Sequence, residues 1–238
     1  MTREITDDTK ISSVAGTEQE VQFIASVLNL KKGADLMDLY CGYGRHATEL
    51  AKKGYNVTGV DATQAFLDIA QQKATDENID ITLRLCDMRE IDYHSEFDAI
   101  INMFAAFGYF SDEENSQVLK RVSDSLKPGG LFLIDMINRG WMIQNNLNRY
   151  WRHPDGACVL SYKIELKRGV VTMNRILINQ VTGAKTEHEF VLRSYSLEEL
   201  AAILDKCGLK VIDTYGGFDF RCYGADSPRM IILAKKEN

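Results

Sequence analysis

Asp38-Leu39-Tyr40-Cys41-Gly42-Tyr43-Gly44-Arg45-His46 is the stretch on which the fold turns. It closes a short apolar run, Leu36 to Tyr40, and opens a helical stretch from Arg45 to Lys53, so a strand ends in a glycine turn and a helix follows at once. Glycines at such a junction let a ligand approach the backbone, and the first turn of the helix offers unpaired N–H groups to it. Taken alone, the spacing of Gly42, Gly44 and Ala47 also satisfies a dinucleotide fingerprint, and a tight turn that binds nothing would show it too. The flanking segments have to separate these readings.

On the N-terminal side, Val21, Ile24, Ala25, Val27 and Leu28 recur at helical spacing between Glu18 and Leu30, with Thr17 as the expected N-cap and Gly33 beyond the end. On the C-terminal side, strand-like Tyr55 to Val60 is followed by a helix from Gln64 to Glu77 and strands Ile81 to Cys86 and Phe97 to Asn102. A helix from Glu113 to Leu126 comes next, and Lys127-Pro128-Gly129-Gly130 is expected to break the chain before the apolar strand Leu131 to Asp135. Strands alternating with helices imply a parallel sheet covered on both faces. From about Gly156 the pattern changes: β-rich runs Cys158 to Leu166, Val170 to Asn179 and Glu187 to Tyr195 are separated by the hairpin signals Arg168-Gly169 and Thr182-Gly183. Ser196 and Glu199 then form a capping box ahead of Leu200, Ile203 and Leu204, Gly208 closes that helix, and strands Leu209 to Tyr215 and Met230 to Ala234 end the chain. The expected fold class is therefore α/β, a doubly wound, mostly parallel sheet with an antiparallel β insertion. Residues 1–238 read as one domain: a cofactor-binding core over 17–138, the insertion as a pocket cover over 139–195, and a C-terminal helix with the last two core strands over 196–238.

Bulk properties narrow the partners. A chain of 238 residues with 45% hydrophobic and 26% charged residues can bury a core of its own. Its net charge of −6 opposes a nucleic-acid or anionic-membrane partner, since such surfaces select a basic excess. The five cysteines (Cys41, Cys86, Cys158, Cys207, Cys222) are scattered, without Cys-x-x-Cys spacing, so no metal site and no disulfide framework is expected. Reduced thiols, a polar start over Met1 to Lys10 and the lack of a long apolar run suit a cytoplasmic protein.

Further motifs stand at strand ends. Asp61 follows Val57-Thr58-Gly59-Val60, where a carboxylate can accept from both hydroxyls of a ribose, or serve as an N-cap alongside Thr63. Asp87-Met88 follows the third strand, where an acid can accept from an adenine amino group while a backbone N–H donates to the ring. With these in place the chain resembles the class I S-adenosylmethionine-dependent methyltransferases over nearly its whole length. The matching stretches are Asp38 to Gly44, Val60-Asp61, Cys86-Asp87-Met88, Phe97-Asp98 and Leu126 to Gly130. Phe104 to Phe110 and Ser227-Pro228-Arg229 are similar to a subgroup of bacterial small-molecule enzymes that modify amino sugars and amino acids.

The resemblance implies a seven-stranded sheet with an antiparallel last strand, and S-adenosylmethionine as cofactor, leaving as S-adenosylhomocysteine. It places Asp38, Gly42 and Gly44 near the methionine part of the cofactor, Asp61 at the ribose, Asp87 and Met88 at the adenine, and Asn102, Met103 and Phe104 on the sulfonium side, with Tyr40, Cys41, Arg45 and Ala62 as further expected cofactor-binding residues. The implied activity is methyl transfer to a small molecule, N- or O-methylation ahead of C-methylation. A nicotinamide-dependent reductase shares Gly42, Gly44 and Asp61 but gives no account of Asp87-Met88 or of an antiparallel last strand, and a non-catalytic cofactor-binding protein stays open. Relatives often carry a longer, aromatic N-terminal segment that closes over the cofactor. Only Met1 to Gly16 precede the first helix here, which leaves closure to another element or a partner subunit.

An acceptor in such a fold sits beyond the carboxyl ends of the strands. Phe107, Tyr109, Arg139, Trp141, Trp151 and Arg221 are the expected substrate-binding residues, and Arg139, directly after the fifth strand, is the preferred clamp for an anionic group. Methyl transfer needs an in-line nucleophile in a dry pocket and does not require a base. No catalytic residue is fixed, with His153 and Tyr109 as the available side chains, whereas His46 reads as a packing histidine. The antiparallel insertion offers edges for pairing, so monomer and homodimer are both compatible.

Overall fold

A computed structural model describes residues 14–145, 149–152, 158–179 and 182–237. Helix α1 (Val14–Leu28) leads into β1 (Asp35–Leu39), α2 (Arg45–Lys52), β2 (Asn56–Asp61), α3 (Gln64–Asp76), β3 (Thr82–Leu85), β4 (Phe97–Asn102), α4 (Asp112–Ser125) and β5 (Leu126–Ile137). The short α5 (Arg139–Asn145) precedes β6 (Arg149–Arg152), β7 (Cys158–Lys167), β8 (Val170–Asn179) and β9 (Lys185–Arg193); α6 (Leu197–Lys206), β10 (Leu209–Tyr215) and β11 (Arg229–Lys236) complete the chain. The strands form a seven-stranded sheet in the order β10-β11-β5-β4-β1-β2-β3 and a separate four-stranded sheet β6-β7-β8-β9. Strands β1 to β5 run parallel, while β11 pairs antiparallel with both β5 and β10. This is the doubly wound α/β class read from the periodicity, with an antiparallel sheet set into it.

The strands are apolar on both faces, and alternation along each one sorts its side chains into two cores. Met37, Leu39, Ile100, Phe132 and Ile232 pack on one face against Val118 and Leu119 of α4 and Leu200 of α6. Their neighbours Leu36, Ala99, Ile101, Leu133 and Ile231 pack on the other against Phe23 and Ile24 of α1 and Leu50 of α2. Among the described residues no helix is long and apolar enough to cross a membrane.

Several boundaries differ from the sequence reading. Helix α1 already includes Val14, so Thr17 lies inside it, and its hydroxyl accepts from Arg45 Nη1 at 3.0 Å instead of capping. Lys127-Pro128-Gly129-Gly130 does not break the chain before β5 but lies within it, as an extra loop where the register with β4 jumps from Phe97↔Leu126 to Ala99↔Leu131. A bulge tolerates a proline without an N–H donor, and Gly129 supplies the left-handed φ of 72° that it needs. Neither β6 nor α5 was read from the pattern, because each is too short to show a period. The Arg168-Gly169 hairpin matches expectation: two residues, both left-handed (φ 53° and 77°), join Lys167 to Val170.

Candidate active site

The parallel strands end on one edge of the sheet, and the predicted cofactor residues gather there. Tyr40 and Cys41 both donate their N–H groups to the Val60 carbonyl, at 2.7 and 2.9 Å, which folds the chain back over the end of β2. Gly42 and Gly44 then take left-handed conformations, φ 56° and 73°. A Cβ on Gly44 would lie 2.7 Å from Ala70 Cβ, so this glycine lets α2 pack on α3. A Cβ on Gly42 would meet nothing within 4 Å, so its backbone faces open space of the kind a cofactor requires.

Asp61 is buried and holds this loop together. Its Oδ2 accepts from Gly42 N and its Oδ1 from Thr63 N, both at 2.9 Å, so the side chain positions the glycine loop and starts α3 through backbone donors. A carboxylate has about four acceptor positions, which leaves lone pairs for further donors.

Beside the loop, unpartnered polar atoms converge. Asp38 Oδ2, Asn102 Oδ1 and Arg45 Nη2 are buried without a hydrogen-bond partner, although Asp38 and Asn102 are each only 1% exposed. Asn102 Nδ2 donates to the Leu39 carbonyl at 3.0 Å, which fixes the amide beside the end of β1. Burial pushes the Asp38 carboxyl up to about 6, against the opposing pull of His46 and Arg45. Arg45 Nη1 is engaged by Thr17 and Glu20, and its guanidinium lies 4.1 Å from the centroid of the Phe104 ring. His46, read from the sequence as a packing histidine, is buried and bonds the same Glu20 carboxylate at 2.9 Å. Buried polar atoms are seldom left unsatisfied, so two acceptors and a donor orphaned together call for a ligand that carries the complementary groups. The Cys41 thiol is pushed up by burial and by the Asp38 and Asp61 charges, which keeps it neutral and unreactive.

The adenine-side pair behaves differently. Asp87 caps its own turn, accepting from Arg89 N at 2.8 Å and from the Arg89 guanidinium at 3.1 and 2.9 Å, and this guanidinium holds its carboxyl below the usual carboxylate range. Arg89 also stacks over Phe110 and bonds Glu114. Met88 and Met103 are core residues at 4% exposure, and Ala62 is exposed.

A group that the sequence reading missed lies between β4, β5 and β11. Phe104 and Ala105 are consecutive left-handed residues without a glycine, φ 64° and 55°. Asp135 holds them, its Oδ2 accepting from Phe104 N and its carbonyl from Ala105 N, each at 2.9 Å. Asp135 is 0% exposed, and the Arg229 guanidinium pairs with both its carboxylate oxygens. Arg229 lies 5.0 Å from the Phe104 centroid and 5.2 Å from that of Phe218. The Ser-Pro-Arg motif pointed to this residue without indicating its partner, which is 94 positions away.

The acceptor-side expectations are partly redistributed. Phe107 is 2% exposed and packs against Tyr195 in the core, so it offers no surface to a substrate. Arg139, the expected anion clamp, points to the start of α6, where its Nη1 bonds the Ser194 carbonyl at 3.1 Å and Glu199 at 2.8 Å. Arg221 is exposed and forms a fork with Asp219, two residues away. Both guanidiniums have a carboxylate partner within the fold. Trp141 is half-buried against the cluster around Met142 and Val171. Tyr109 remains at the site, 38% exposed and stacked on Tyr40 with ring centroids 5.6 Å apart. Trp151 is placed by its backbone in β6, opposite Leu160, while His153 and Met1–Ser13 lie outside the described residues. Among the described residues no cluster of His, Cys, Asp or Glu could hold a metal ion.

A methyltransferase-domain family model matches residues 36–130, the span from β1 to the bulge of β5. A protein of Geobacillus sp. (strain WCH70) that carries a methyltransferase name is 27% identical over 207 residues, covering 84% of each chain. Residues 36–130 thus match a methyltransferase domain, and the chain is similar to the class I S-adenosylmethionine-dependent methyltransferases. It is an enzyme with S-adenosylmethionine as its cofactor. Solved structures share the fold of this methyltransferase at lower identity. An S-adenosylmethionine-dependent methyltransferase from Clostridium acetobutylicum ATCC 824 superposes with a TM-score of 0.82 at 22% identity, covering 93% of this chain and 92% of that one. CalS10 from Micromonospora echinaspora, an amino pentose methyltransferase solved with S-adenosylmethionine bound, superposes with a TM-score of 0.75 at 17% identity over 99% of both chains.

Proposed function

We propose that this methyltransferase methylates a nitrogen or oxygen of a small molecule, with the amino-acid end of S-adenosylmethionine seated on Asp38, Asn102 and Arg45. The observation that carries the reading is the trio of buried orphans: Asp38 Oδ2 and Asn102 Oδ1 are acceptors for an ammonium, and Arg45 Nη2 is a donor for a carboxylate. Asp61 holds the loop with one lone pair of each oxygen and offers the others to the ribose hydroxyls, and Asp87 with Met88 borders the adenine. Bound at this place, the cofactor supplies an electrophilic methyl group. The protein's share is to hold the acceptor in line and dry beside Phe104 and Tyr109, beneath the antiparallel sheet, which we assign as the pocket cover over residues 139–195. The net charge of −6 and the amino pentose activity of CalS10 favour a small acceptor over a nucleic acid. A screen of amines, amino acids, amino sugars and phenols for S-adenosylhomocysteine release tests this. Turnover confined to a polymer, or none in protein that binds the cofactor, would refute it.

The raised Asp38 carboxyl makes a prediction of its own. An ammonium needs the ionised form, so affinity for S-adenosylhomocysteine should fall as pH drops through about 6, with proton release on binding below that point. In the ligand-free protein the sign is opposite. The stability that a neutral Asp38 contributes is present at low pH and is lost as pH rises from the ordinary 3.8 through about 6. Calorimetry across this range should show both effects in the wild type and neither in Asp38→Asn. A pH-independent affinity in the wild type would remove Asp38 from the ammonium site.

A further inference from the structure

Arg193 is the centre of a joint between the antiparallel sheet and the cofactor edge of the core. The Arg193 N–H donates to the Gly108 carbonyl at 2.7 Å, pairing the end of β9 with the loop between β4 and α4. The Arg193 guanidinium bonds the Gly169 and Ser194 carbonyls at 3.1 and 3.0 Å, Asp112 at 3.2 Å and Glu199 at 3.4 Å, and it lies 4.6 Å from the Tyr195 ring centroid. It thus ties the β7–β8 turn, the start of α4 and the start of α6 to one side chain. The chain makes room for it with glycines on both sides. A Cβ on Gly108 (φ 98°) would lie 2.4 Å from the Arg193 carbonyl oxygen, and one on Gly169 (φ 77°) would lie 2.2 Å from Arg193 Nη1.

The loop that Arg193 holds is the one carrying the aromatic residues of the site. It begins with the strained pair Phe104–Ala105, and such conformations persist only where the surroundings over-determine them. Asp135 fixes one end of this loop and Arg193 fixes Gly108, next to Tyr109, whose ring stacks on Tyr40 of the glycine loop. A continuous line of contacts therefore runs from the glycine loop through Tyr40, Tyr109 and Gly108 to Arg193 and the base of the sheet. Two sites influence one another when both bias a shared element, and this loop is such an element.

We propose that Arg193 is a positioning residue that makes cofactor binding at the glycine loop and the seating of the antiparallel sheet one coupled unit. The proposal rests on the reading of the glycine loop as the cofactor site. Hydrogen exchange on the full chain, with and without saturating S-adenosylhomocysteine, tests it in the wild type and in Arg193→Met. In the wild type the ligand is expected to slow exchange at Gly108–Phe110 and also at residues 190–194 by about fivefold or more. In Arg193→Met the ligand should bind within about threefold of wild-type affinity, while the slowing at 190–194 disappears. A purely structural role would raise exchange equally in both states and leave the ligand-dependent difference intact, which overturns the proposal, as does a wild type that shows no slowing at 190–194. Arg193→Lys is the milder variant should the methionine variant not fold. It keeps a charge near Asp112 and Glu199 but lacks the fork to the two carbonyls, so less than half of the slowing should remain, and full slowing counts against the proposal. A wild type that fails to bind S-adenosylhomocysteine at all refutes the cofactor reading instead.

Discussion

Asp61→Ala should weaken S-adenosylhomocysteine binding by about 2 to 4 kcal/mol, roughly thirtyfold or more, because charge-assisted hydrogen bonds to a ribose are worth about that much together. The structure adds a second reason. Asp61 also accepts from Gly42 N and Thr63 N, so the alanine variant leaves those donors without their acceptor and loosens the loop that the cofactor must meet. Asp61→Asn separates the contributions. Its remaining oxygen keeps one backbone bond while the charge is lost, so its affinity should fall between those of the wild type and Asp61→Ala, with a melting temperature nearer the wild type. Calorimetry with S-adenosylhomocysteine decides the matter, and unchanged affinity in Asp61→Ala would remove Asp61 from the cofactor site.

Arg229→Met should be the most destabilising of the substitutions considered. Asp135 is 0% exposed and its carboxylate is matched by Arg229, with Phe104 N as a further donor. Removing one partner of a buried pair leaves an uncompensated charge, which costs about 3 to 5 kcal/mol. At about 2 to 4 °C per kcal/mol for a domain of this size, the melting temperature should fall by roughly 10 °C. Restoring the match from the other side is the control. Asp135→Asn in the Arg229→Met background should recover part of the loss, because a neutral amide can still accept from Phe104 N. A fall of less than about 2 °C in Arg229→Met, or a double variant no more stable than the single one, would show that the pair does not carry this load.

The residues gathered at the carboxyl edge of the parallel strands were legible in the sequence because they lie at strand ends close to the periodic segments that identify them. Asp38, Gly42, Gly44, Asp61 and Asn102 stand where the alternation of strand and helix puts them. The partners of the expected acceptor-side residues were not legible. Arg139 follows β5 as expected, yet its direction is set by Glu199, 60 residues later, and Phe107 shares the sequence signature of an exposed aromatic while packing on Tyr195. A side chain's partner across the fold leaves no periodic trace, so an arginine that clamps a ligand and one that ties two helices together look alike in sequence.

By itself, then, the sequence determined the α/β class, the antiparallel insertion and the glycine loop with its carboxylates, because these follow from local periodicity and from backbone conformations that few residues can adopt, while the antiparallel last strand came from the family resemblance alone. Tertiary structure alone decided that Asp38, Asn102 and Arg45 keep an orphaned atom each, that Asp135 needs Arg229, and that Arg193 joins the antiparallel sheet to the loop after β4. The reason is physical: burial and charge compensation belong to groups brought together from distant parts of the chain, and they come into being only when the chain has folded.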